Sequence, residues 1–137
     1  MLALALLCLV GGCQPKLTRP LQDNFTIHAG STGIRPFVAA LERAFDKTAD
    51  AEKLNVPDSD PAEMFAIHSA NATVVINPVP DDRCNPNASM HSAYKQGEYR
   101  IDLVYETSTA KERETAKQLL LKAASDAGLA VATFKEC

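Results

Sequence analysis

Three histidines, four cysteines and a scatter of carboxylates are the groups in this chain with chemistry to offer, and their spacing decides which chemistry. His28, His68 and His91 sit in separate segments. No two have the spacing by which a helix turns two imidazoles toward one metal. His28 falls on the polar face of an expected strand, where Arg100 and Asp102 of a neighbouring strand would approach it. A His–Asp pair beside a nucleophile is hydrolytic chemistry. No serine elbow or reactive cysteine accompanies this one, so polar pairing on a wetted sheet is the simpler role. Gly30-Ser31-Thr32-Gly33 separates that strand from a helix start. Backbone N–H groups there, with the helix dipole, suit a phosphate or carboxylate. The stretch lacks the phosphate-loop lysine, and any tight strand-to-helix connection uses the same residue types. Asp81, Asp82, Asn85 and Asn87 gather oxygens without the glycine and closing Glu of a calcium loop. These residues therefore imply no cofactor, no metal site and no catalytic set.

The cysteines say more. Met1–Val10 reads MLALALLCLV, uncharged and too short to span a bilayer as a helix, but of the length of a secretory apolar core. Gly11 and Gly12 supply the small residues that a signal peptidase admits beside its cut. The quartet Val10-Gly11-Gly12-Cys13 resembles the lipobox of bacterial lipoproteins, a resemblance confined to residues 1–13. It implies that residues 1–12 are a lipoprotein signal peptide. It also implies that the Cys13 thiol takes a diacylglyceryl group and that the new amino terminus takes a further acyl chain such as palmitate. More than one chain makes a stable anchor. Gln14 stands where retention signals of that family place Asp, which implies the outer membrane, with the domain facing the periplasm. A plain secretory signal with an incidental cysteine is the other reading. In a bacterium the acceptor patterns at Asn24, Asn71 and Asn87 are incidental.

On this resemblance Cys8 leaves with the signal and Cys13 carries lipid. Cys84 and Cys137 remain, in a compartment where disulfides persist. They most simply pair with each other; a shared metal ion or an intermolecular bridge are the alternatives. A ring on the order of 50 residues would contribute about 4 kcal/mol in the chain-entropy account.

The elements follow from periodicity. Residues 13–24, with Pro15 and Pro20, read as a tether, and 25–137 as one domain. Phe25–Ala29 alternates as a strand. Ile34, Phe37, Val38, Leu41 and Phe45 form a helical stripe, with Pro36 in the first turn and the helix fading through Lys47–Leu54. Asp60-Pro61 reads as the start of a short helix over Glu63–His68. Thr73–Asn77 is a strand stopped by Pro78 and Pro80, and 80–97 is a long polar loop holding Cys84. Tyr99, Ile101, Leu103 and Tyr105 face one way in the strand Glu98–Glu106. Thr109 and Glu112 match a capping box for a helix that Gly128 ends, and Leu129–Glu136 is a final strand. The fold class is α+β: an antiparallel sheet with two main helices on one face, in the ferredoxin-like order β-α-β-β-α-β. That order and a Cys84–Cys137 bridge conflict. The two cysteines would start some 25 Å apart, about eight strand residues, unless the 80–97 loop folds back or the last strand ends early.

With a formal net charge of −3 and no Trp, the chain lacks the clustered cations of a nucleic-acid binder and any advertised stacking platform. The resulting expectation is a non-catalytic protein-binding module on a lipid anchor, an assembly subunit or an inhibitor or immunity factor, whose partner is another envelope protein. A periplasmic small-ligand or metal-ion binder is the alternative. The expected docking surface is the sheet face away from the helices, presenting Thr26, His28, Arg100, Asp102 and Val104, with His91 and Tyr94 at its border. Anything covering that face would be another protein or the 80–97 loop.

Overall fold

The computed structural model describes residues 21–30, 33–55, 62–87, 93–107 and 109–137. The signal peptide, Cys13, most of the tether and His91 lie outside the described residues.

The elements run β1 (Gln22–His28), α1 (Arg35–Phe45), β2 (Asp50–Leu54), β3 (Ala62–His68), β4 (Ala72–Pro80), β5 (Tyr94–Tyr105), α2 (Ala110–Asp126) and β6 (Val131–Thr133). All pairings are antiparallel, in one six-stranded sheet ordered β2-β3-β4-β5-β1-β6. The fold is therefore α+β, with six strands rather than the four expected.

The four inner strands bury alternate residues: Phe25 and Ile27 of β1, Phe65 and Ile67 of β3, Val74 and Ile76 of β4, Ile101 and Leu103 of β5. They share one hydrophobic cluster with Phe37, Val38 and Leu41 of α1 and Ala116, Leu120, Ala123 and Ala124 of α2. Both helices thus cover the same sheet face. Asp46 stops α1 in the left-handed region at φ 52°. At the start of α2, Thr109 makes no side-chain cap; Thr107 does that work, its hydroxyl donating to Glu112 and accepting from the Thr109 N–H. Gly128, at φ 72°, closes α2, with Leu129 N–H reaching back to the Ala124 carbonyl.

Three segments differ from the sequence expectation. Residues 63–68, expected as a helix, lie in β3. Ala, Glu and Met favour helix locally, yet Phe65 and Ile67 gain burial only by alternating opposite Ile76 and Val74. Residues 50–54, expected as fading helix, form β2, whose one partner is β3. β4 runs through Pro78 to Pro80 instead of stopping, and β5 begins at Tyr94, so the 80–97 loop is shorter than expected. Proline is tolerated because the β3–β4 ladder ends at the Phe65–Ile76 pair. From Asn77 onward β4 has β5 alone as neighbour, and a missing N–H on its free side costs no ladder bond.

β6 is also short. It stops at Thr133, opposite Phe25, where the expected strand ran to Glu136. After one more backbone bond, Phe134 N–H to the Asn24 carbonyl, the chain leaves the sheet edge. It ends in a Cys84–Cys137 disulfide with a Cα–Cα distance of 5.5 Å. The early end of the last strand frees the chain to reach Cys84.

Candidate functional site

The sheet face opposite the helices carries half-exposed residues: Asn24 and Thr26 on β1, Arg100, Asp102 and Val104 on β5, Thr73, Val75 and Asn77 on β4. Register sets Thr26 opposite Arg100 and Asn24 opposite Asp102, with Asn77 and Val75 flanking the same two residues from β4. Arg100 Nε donates to Asp102 Oδ1 at 2.7 Å, two residues along one strand and on one face. Asp102 thus serves Arg100 and not His28.

The C-terminal residues partly cover this face. That corrects the expectation that only a partner or the 80–97 loop would do so. Phe134 lays its ring against the Arg100 guanidinium, 4.4 Å from the ring centroid, and against that of Arg83, at 4.7 Å. Such contacts favour a cation over an aromatic face. Arg83 also sends Nη1 toward the sulfur of Cys137 at 3.6 Å.

Between this tail and the end of β2 lies a groove of about 630 Å³. Its floor is Asn77–Pro80 of β4 with Arg100, Asp102 and Tyr94 of β5. One wall is Phe134, Glu136 and Cys137 with Arg83, and Leu54 of β2 lies across from them. The groove sits where the β3–β4 ladder ends, so the departure of β3 from β4 opens it. It combines two guanidiniums, two carboxylates, a side-chain amide with no partner among the described residues, and apolar surface. That suits reversible polar recognition.

The sequence-expected residues distribute unevenly. Arg100, Asp102 and Tyr94 line the groove; Val104 shares their face farther along β5, opposite Gln22. His28 is exposed at the end of β1, opposite Glu98, beside a separate depression lined with Gly30, Gln96 and Gly97. It does not join the Arg100–Asp102 pair. Arg83, Phe134, Asn77, Leu54 and Glu136 were not expected. The signal for Phe134 lay in the bridge: a chain that must carry residue 137 to Cys84 has to cross this face.

Two tyrosines titrate abnormally, both on the helix side. Burial, then the hydrogen bond its hydroxyl donates to Asp23 Oδ2 at 2.5 Å, pushes the Tyr105 phenol up. Burial, then the nearby Glu63 carboxylate, raises Tyr99. Glu63 itself accepts from Arg35 Nη2 through both oxygens at 2.8 Å. Among the described residues, no three His, Cys, Asp or Glu side chains come together as a metal ion would need. No described helix is long and apolar enough to cross a membrane. Compared with known protein families and with curated proteins, the sequence matches none.

Proposed function

We propose that this chain is a bacterial envelope lipoprotein, anchored through acylated Cys13, whose domain is a non-catalytic module that binds another envelope protein with the open sheet face. The observation that carries the reading is the face itself. Arg100, Asp102, Val104, Asn24 and Thr26 stand half-exposed on central strands, on the side the helices leave uncovered. Mixed polar and apolar area of this kind is the composition of a reversible interface. Assembly subunit and inhibitor or immunity factor are both compatible with it. We read β6, β1, β5 and β4, with the two helices, as a ferredoxin-like unit to which β2 and β3 add an edge; strand order and directions support that reading.

The test is affinity capture from bacterial envelopes by the full chain, with bound proteins identified by mass spectrometry. Arg100→Glu and Asp102→Lys, each checked for folding by circular dichroism, should lose the partner that the wild type retains. Capture unchanged by both, but lost on substitutions at the exposed surface of α2, would move the interface elsewhere.

A further inference from the structure

The groove lining carries two guanidiniums, Arg83 and Arg100, and two carboxylates, Asp102 and Glu136, and of these only Arg100 and Asp102 pair with each other. Arg100 gives Nε to Asp102, and its two Nη groups donate to no described side chain. Among the described residues Arg83 has no carboxylate within ion-pair distance, and its polar contact is a disulfide sulfur, a weak acceptor. Both guanidiniums lie against one ring, which places them within about 9 Å of each other. An anion that reaches both guanidiniums is held by two charges at once. Glu136 lines the wall but pairs with neither arginine. On the floor, the half-buried Asn77 amide makes no hydrogen bond to another described residue, and it can both donate and accept. Leu54, Pro80 and Tyr94 supply apolar surface.

We propose that the groove binds the C-terminal residue of a peptide chain. Its carboxylate meets Arg83 and Arg100, its last peptide unit meets Asn77, and its apolar side chain rests against Leu54 and Pro80. This rests on the reading of the open face as the docking surface and names what the partner brings to it. Three features favour a chain end over a longer strand. Guanidiniums pair well with carboxylates. A single side-chain amide matches one peptide unit. The volume is that of a small-ligand site, with room for a residue or two. The Cys84–Cys137 bridge belongs to the site, because it holds the wall that carries Phe134.

The probes are the peptide acetyl-Ala-Ala-Leu as the free acid and the same peptide as its C-terminal amide. Each is titrated into the full chain and followed by calorimetry and by NMR of the arginine Nε–H signals. The acid should bind saturably and shift the Arg83 and Arg100 signals, and the amide should bind at least tenfold more weakly. Arg83→Gln and Arg100→Gln should each weaken the acid about tenfold, a difference of about 1.4 kcal/mol. Asn77→Ala should weaken acid and amide alike, and Lys122→Gln, on exposed α2, should change neither. Because Arg83 lies outside the core and the ladders, its variant remains informative if Arg100→Gln folds poorly. Equal binding of acid and amide overturns the proposal. So does no saturable binding at millimolar peptide, or binding of N-acetyl-leucine with the tripeptide excluded. If the peptides fail while Arg100→Glu still abolishes partner capture, the face stands and chain-end recognition falls. If the peptides bind while capture ignores Arg100→Glu, the groove stands and the docking face falls.

Discussion

Phe134 shows how much one side chain can organise. It stands one residue beyond the last strand, yet it gathers Arg83 from beyond β4 and Arg100 from mid-β5. Phe134→Ala should lower stability by only about 1 kcal/mol, because the ring is half-exposed and two cation–π contacts at partly wetted sites are modest. It should also loosen both guanidiniums, visible as sharper arginine signals in NMR. The core behaves differently. Leu120 is fully buried at the helix–sheet contact, so Leu120→Ala should cost about 2–5 kcal/mol in urea denaturation. Tyr105 adds a pH dependence whose sign is fixed. Its phenol is raised above the ordinary 10.0 in the fold, so the unfolded chain releases that proton first. Its contribution is whole below pH 10 and is lost as pH climbs through the folded value. The urea midpoint should therefore fall as pH passes 10, and Tyr105→Phe should flatten that fall. Tyr99, also raised, leaves some slope behind.

At the scale of elements, the bridge does work that the ladders do not. β6 pairs over three residues, and past Phe134 no backbone bond to a described residue fastens the chain before Cys137. Cys84→Ser or Cys137→Ser should cost about 2–4 kcal/mol by denaturation. Carboxypeptidase should then trim the tail up to β6, while the wild-type end resists. Neither cysteine of the folded wild type should titrate as a free thiol. The same elements mark where sequence reasoning succeeds. β1, α1, β5 and the Gly128 stop are legible because periodicity and local chemistry agree with their final burial. β2 and β3 are not, since helix-favouring residues are held extended by pairing that a local window does not contain. The prolines of β4 mislead for the same reason: whether Pro78 breaks a strand depends on where the neighbouring ladder ends. Of the groove, Arg100, Asp102 and Tyr94 are legible from alternation and position. Arg83 and Phe134 become so only once the bridge is used as a distance constraint, because they meet through the crossing of a tail that carries no periodicity.

At the scale of the whole molecule, the proposed anchor and the proposed groove would have to work together. If Cys13 carries lipid, nine residue steps separate it from Gln22 at the start of β1, a reach of at most about 30 Å. That is about one domain diameter, so a partner would meet the open face close to the membrane surface. The net charge of −3 gives the chain no general attraction to anionic headgroups, and Lys16 and Arg19 are the two cations of the tether. Membrane residence then depends on acyl chains, and two or more hold where one exchanges. Cys13→Ser should therefore move the protein from the membrane pellet to the soluble fraction of lysed cells. It should also abolish incorporation of labelled palmitate, and it should leave the circular dichroism of the domain unchanged because residue 13 precedes the first strand. Raised salt should not release the wild type, since little of its binding would be electrostatic, whereas mild detergent should. A wild-type protein that stays wholly soluble, or one that salt alone strips from the membrane, would remove the anchor and leave the groove to be judged as part of a freely diffusing domain.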